Sequence, residues 1–283
     1  MAWKAFWALP LAAMLGCACA ASYDDYTRGL SALAAQRYDL AIQSFSAALA
    51  AGDLATPYIP VAHMRRAAAY MATGDCKNAI GDLNTAATGR TPDSELLTMR
   101  LWGNLCAGDK VAADRDFTAL LSTRPEKLQG GLFTSYGRAL WDYGDFAAAG
   151  EKFALALQYS DKKSPHSLYL DLWYAISTLR AGRFDAADFD KRTANIPSAW
   201  PAPVVAFYRG QTTVEQLYHA AQDSDAVLAT GQKCEADFYL GEWHLSHGDQ
   251  AVAAPLIHQA AESCPHRFAE YDMAQTEEHR LKK

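Results

Sequence analysis

The chain has 283 residues, half of them apolar and a fifth charged, with a net charge of −6. That balance supports a folded protein with a sizeable core and excludes a disordered one. Since no basic cluster stands outside the C-terminal "HRLKK", the chain carries no electrostatic footprint for nucleic acid, and no nucleic-acid partner is expected.

The first predicted element is a leader. "MAWKAFWALPLAAMLGCACA" sets Lys4 ahead of an apolar run from Ala5 to Ala20, and small residues precede Ala21. The run is short for a membrane span, and the polar "SYDDY" follows at once. Cleavage after Ala20 would release a periplasmic protein. Lipidation of Cys17 in "MLGC" would instead give an outer-membrane lipoprotein facing the periplasm, although Met14 stands where such motifs prefer Leu. No later stretch is apolar and long enough to cross a bilayer. If Cys17 and Cys19 leave with the leader, Cys76, Cys106, Cys234 and Cys264 remain. An even number in an oxidising compartment favours disulfides over metal or catalysis.

Past the leader a repeat runs along the chain: "QRYDLAIQSFSAALA", "GDCKNAIGDLNTAAT", "GDKVAADRDFTALLSTRP", "GDFAAAGEKFALALQ", "GRFDAADFDKRTANIP" and "GDQAVAAPLIHQAAESCP". Each opens on a short turn. A small residue follows (Ala41, Ala79, Ala113, Ala149, Ala187, Ala253), then a larger one (Phe45, Leu83, Phe117, Phe153, Ile257, with Lys191 breaking the pattern). A third position is small or apolar (Ala48, Ala86, Leu120, Ala156, Ala194, Ala260), and the spacing keeps all three on one helical stripe. Upstream lies a second helical segment with its own small residue, such as Gly29, Ala67, Gly137, Ala175 and Gly241. In the last repeat, Gly241 and Ala253 let the two helices approach, with Phe238 and Ile257 filling the sides. Pro125 and Pro265 stop the second helix of their repeats. Two helices, a tight turn and a small-residue contact in about 34 residues form the tetratricopeptide (TPR) pattern.

The predicted fold is therefore an all-α TPR-type solenoid, because one hairpin cannot bury its apolar face alone. Its predicted layout is a signal peptide over 1–20, five repeats over 21–201, a connecting segment with an extra helix over 202–233, and a further repeat with a capping helix over 234–283. In the connecting segment "WPAP" reads as a helix breaker marking an extended crossing, and Thr212 or Thr213 stands ready to cap the extra helix. "RFAEYDMAQTEEHRLKK" reads as a polar-faced helix capping the solenoid end.

The hairpin geometry pairs the cysteines. Cys234 begins the first helix of the last repeat and Cys264 ends the second, so the two meet at one end of an antiparallel hairpin. Cys76 opens the second helix of repeat two and Cys106 ends the first helix of repeat three, on the same edge. Neighbouring helix ends meet the Cα spacing a disulfide needs, which predicts Cys76–Cys106 and Cys234–Cys264. Bridged cysteines offer no thiolate, so Cys264 beside His266 is not read as a nucleophile.

No nucleophile elbow, phosphate loop or HExxH occurs, so no catalytic residue and no cofactor is expected. Glu242, His244 and His247 form a superficial metal pattern that would suit a metal-dependent hydrolase. No further ligands stand at a closed-site spacing, and His244 holds a packing position of the repeat, so no metal site is expected. Function is expected at the concave face instead, where Met64, Met71, Trp102, Arg138, Trp141, Asp142 and Arg180 read as outward-facing. Exposed aromatics and arginines suit a peptide or a partner helix. The alternative for Trp102 and Trp141 is packing between repeats.

The C-terminal third also carries a resemblance. "WPAPVVAFYRGQTTVEQL" followed by "ADFYLGEWHLSHGDQAVAAPLIHQAAESCPHRFAEY" resembles the NlpI-type periplasmic TPR lipoproteins. The likeness rests on the WP break, the "FYRG" segment, "FYLG", the Gly-Asp turn and "FAE" beyond it. It implies a non-enzymatic adaptor, anchored by lipid to the outer membrane and dimeric, that brings clients such as peptidoglycan hydrolases to a periplasmic protease. It also implies protein or peptide partners, a lipid anchor through Cys17 and a homodimer. A structural part of an outer-membrane assembly or secretion complex is the alternative.

Overall fold

The computed structural model describes residues 12–161 and 164–282, with side chains from Ala21 onward, Lys127 excepted. The predicted leader and its Cys17 alternative lie outside the described side chains. Among the described residues there are fifteen α-helices and no strand, as in a TPR-like solenoid. The chain divides into two compact units, Met1–Thr123 and Arg124–Lys283.

The first unit holds α1 (Ala12–Ala34), α2 (Tyr38–Ala50), α3 (Tyr58–Ala72), α4 (Cys76–Ala87), α5 (Ser94–Cys106) and α6 (Lys110–Ser122), which pair as three antiparallel hairpins. The second holds α7 (Gln129–Asp142), α8 (Phe146–Gln158), α9 (Pro165–Arg180), α10 (Ala186–Arg192), α11 (Ala202–Tyr208), α12 (Val214–Ala220), α13 (Ala226–Ser246), α14 (Gln250–Ser263) and α15 (Ala269–Leu281).

The recurring Gly-Asp turn has a local cause. Gly74, Gly108, Gly144 and Gly248 adopt φ between 76° and 81°, a left-handed conformation that ends one helix without a Cβ penalty. The aspartate that follows caps the next helix: Asp75, Asp109, Asp145 and Asp249 accept from the backbone N–H of Asn78, Ala112, Ala148 and Val252. The predicted stripe is buried. Ala41, Ala79, Ala113, Ala149 and Ala253 have no exposed surface, and Phe45, Leu83, Phe153 and Ile257 lie above them in the core. A Cβ on Gly29, Gly137 or Gly241 would stand within 2.8 Å of Phe45, Phe153 or Ile257. Close helix approach is therefore built on the missing side chain.

Ion pairs repeat with the same period. Arg66 on α3 grips Asp82 on α4 at 2.7 Å through Nε and NH2, and His63 Nδ1 lies 2.8 Å from the same carboxylate. One repeat later, Arg100 lies 3.2 Å from Asp116, which also accepts from Asn104. The guanidinium and His63 hold the Asp82 carboxyl below its usual range against the cost of burial.

Cys76 and Cys106 join α4 to α5 with Cα atoms 5.3 Å apart, and Cys234 and Cys264 join α13 to the end of α14 at 5.1 Å. The second bond differs from expectation in one respect. Cys234 lies inside α13, which begins eight residues earlier at Ala226, where Asp225 caps it. The polar "DSDAVLATGQK" reads as linker in sequence, but its aspartate initiates a helix.

The fifth hairpin also departs from the predicted register. α10 has only seven residues, Ala187 and Ala194 are exposed, and Phe189 and Thr193 are buried instead. Phe189, two positions past the expected small residue, supplies the apolar contact the stripe lacks at Lys191. "WPAP" opens α11 rather than an extended crossing: Pro201 is the N-cap, and proline's fixed φ suits a first helical turn. A second short helix follows, α12, opened by a capping box between Thr213 and Gln216. α13 then packs directly against α9.

Candidate functional site

The seven residues predicted to face a partner do not share one fate. In the first unit, Met64 is 4 % exposed and belongs to the core beside Ala67 and Leu83, so its expected outward position is corrected. Met71 is half-buried against the same cluster, and Trp102 on α5 is half-buried.

In the second unit the structure brings Arg138, Trp141, Asp142 and Arg180 together, and a helix already covers them. That helix is α15. It leaves α14 and reaches across to α7, with Glu270, Met273, Ala274 and Glu277 buried at the i, i+3, i+4, i+7 positions of one face. Each of the four predicted residues meets it. Arg138 lies 3.2 Å from Asp272. Arg180 donates to Glu277 at 2.9 Å and to Glu242 on α13 at 2.8 Å. Arg280 donates to the backbone carbonyls of Trp141 at 2.6 Å and Asp142 at 2.8 Å, and also pairs with Glu277. Its guanidinium stacks 4.7 Å over the Trp141 ring and 5.3 Å from Phe146.

Trp141 is accordingly fully buried, not presented to solvent: Arg280 covers it, and Phe146 and Phe238 hold its edges. Arg180 is likewise mostly buried, between the carboxyl groups of Glu242 and Glu277. Asp142 remains exposed at the end of α7, and Arg138 is half-exposed.

At the other end of α15, two buried carboxyls sit in an aromatic shell. Glu270 accepts from Tyr239 Oη at 2.7 Å and Trp173 Nε1 at 3.1 Å. Glu235 on α13 accepts from Tyr169 Oη at 2.9 Å and from Trp200 Nε1 at 2.5 Å. Burial, then the Glu270 charge, pushes Glu235 up to about 8, against the pull of its donors. Burial also raises Glu270. Glu242 is pushed up to about 8 by burial and the neighbouring Glu277, although Arg180 opposes this.

Of these acids, sequence reading singles out Glu242 alone, and only as part of a metal pattern. The signal was present, because Glu270, Met273, Ala274 and Glu277 form a helical stripe in an otherwise polar tail. A carboxylate in such a stripe marks a buried face only when the partner arginine is known.

The residues of the metal pattern do not converge. Glu242 faces Arg180, and His247 stacks on Trp243 at 3.9 Å with Nδ1 2.7 Å from its carbonyl oxygen. His244 Nδ1 lies 3.3 Å from Asp249. Among the described residues no three His, Cys, Asp or Glu side chains are placed to hold a metal ion.

No family model matches the chain. A solved tetratricopeptide repeat protein from Parabacteroides merdae has a similar fold, with a TM-score of 0.50 and 15% identity over 90% of this chain and 98% of that one. The chain thus has the all-α helical-repeat fold of a TPR-like solenoid.

Proposed function

We propose that this protein is a cell-envelope adaptor or scaffold that binds other proteins and has no chemistry of its own. The observation that carries the reading is α15. The second unit holds a helix through matched arginines, carboxyl groups and aromatic donors, which is the chemistry of helix-in-groove recognition. The leader-like first 20 residues and the resemblance to NlpI-type lipoproteins support a periplasmic setting. There the chain would dock a protease and its clients, such as peptidoglycan hydrolases, on separate faces and raise their effective concentration. A lipid anchor at Cys17 and a homodimer belong to the same reading.

The test is affinity capture of the full-length protein from envelope extract under non-reducing conditions, with the partners identified by mass spectrometry. Recovery of a periplasmic protease together with cell-wall hydrolases is the expected result. Recovery of outer-membrane assembly or secretion components instead would overturn the adaptor reading in favour of a structural role. The mass of the bait's N-terminal peptide reports whether processing leaves Ala21 or a lipidated Cys17.

A further inference from the structure

α15 underfills the groove that holds it. A cavity of about 430 Å³ borders its C-terminal end, lined by Arg180, Leu245, Gln250, Glu277 and Arg280. Another of about 260 Å³ borders its N-terminal end, between Tyr169, Trp173, Glu235, Phe268 and Glu270. Between these ends the buried face of α15 offers only Met273 and Ala274 as apolar contacts. Three polar atoms near it are buried without a hydrogen-bond partner: Trp141 Nε1, Arg138 Nε and Glu242 Oε1.

α15 packs on α14 and is held in the groove by ion pairs and buried hydrogen bonds, and the ion pairs add little net stability because each charge gives up its hydration to form the pair. Its advantage is covalent attachment, equivalent to an effective concentration on the order of millimolar. A competitor that presents the same charges with bulkier apolar residues, or with donors and acceptors for the orphaned atoms, gains packing that α15 does not supply.

We propose that the groove formed by α7, α9, α13 and α14 is a docking site for an acidic amphipathic helix of a partner protein, and that α15 is a displaceable stand-in for that ligand. The partner helix carries two inward carboxylates two turns apart, as Glu270 and Glu277 are. The first is received by Trp173 and Tyr239 and the second by Arg180. Larger apolar residues fill the space around Met273 and Ala274. The proposal rests on the scaffold reading and names one of its binding faces and the chemistry of its ligand.

The probe is a fluorescein-labelled peptide spanning residues 266–283, titrated by anisotropy into the full-length, oxidised protein. Asp272→Ala/Arg280→Ala weakens α15 in place while leaving every groove residue intact. The variant is expected to show faster amide exchange in α15 than in α14, and to bind the peptide at least about tenfold tighter than the unaltered chain does, because the tethered competitor is weakened. A peptide carrying Glu270→Gln and Glu277→Gln is expected to lose most of that affinity. Should the double variant unfold, Asp272→Ala alone, at a side chain 63 % exposed, carries the same test. Amides of α15 that stay as protected as those of α14 would make the helix a fixed cap and overturn the proposal. So would a loosened α15 with no peptide binding, or a doubled mass by light scattering showing that a second copy's α15 fills the groove. Failure here leaves the envelope-capture result standing, since partners could use other faces. Peptide binding alongside an empty capture would sink the envelope reading instead.

Discussion

Gly137 sits fully inside α7, where glycine is normally a cost, because a Cβ there would stand 2.8 Å from the Phe153 ring. Gly137→Ala raises helix propensity yet forces Phe153 from its place in a close-packed core. It is expected to destabilise the second unit by about 1–3 kcal/mol, read as a lower midpoint in urea unfolding. Glu235 makes a pH prediction. Its folded-state value of about 8 lies above the ordinary 4.5, so the unfolded chain releases the proton first as pH rises. The neutral carboxyl's contribution is fully present below the ordinary value and is lost as pH climbs toward 8, at up to about 1.4 kcal/mol per pH unit. Glu235→Gln keeps an acceptor for Tyr169 and Trp200 and removes the titration. Thermal melts from pH 5 to 9 should show a flatter stability profile for the variant, with its gain over wild type largest at pH 9. Such residue-scale features divide sharply in legibility. Gly-Asp turns and small-residue contacts are set by neighbours in the same hairpin and were readable. The burial of Trp141 depends on Arg280, a residue nothing in its local pattern announces.

At the level of elements, the disulfides tie helices that repeat packing already juxtaposes. Cys76 and Cys106 are half-exposed, whereas Cys234 is 0 % and Cys264 3 % exposed. Thiol exchange needs access for the attacking thiolate. Mild reductant followed by alkylation and mass spectrometry should therefore label Cys76 and Cys106 well before Cys234 and Cys264. Cys76→Ser/Cys106→Ser should cost the first unit about 3–4 kcal/mol, the loop-closure value for a bridge of this span. Calorimetry of the oxidised proteins checks it. Helix existence was legible across most of the chain because apolar stripes and caps are local. Helix length failed at α10 and α13: in one the stripe is broken by Lys191, and in the other a capped start at Asp225 lies among linker-like residues. The residues that receive α15 are not legible for a different reason. Its amphipathic face says that something is covered, but not which surface covers it.

Across the molecule, TPR-like stacking follows from a stripe that no single hairpin can bury. That requirement is written in every repeat as small, large and small residues at helical spacing, with Gly and Asp at the turns. Fold class and hairpin pairing were accordingly available from the amino acids in order, since each contact that decides them falls within about one repeat period. The state of the surface that receives α15 was not. The Trp173–Glu270 bond spans 97 positions and the Arg280–Trp141 bond spans 139. Contacts so distant leave no periodic trace, and a buried glutamate and an exposed one are the same letter until the arginine opposite is placed. Local geometry decides the scaffold; only the folded chain, by setting buried charge against buried charge, decides which surface is open and which is already held.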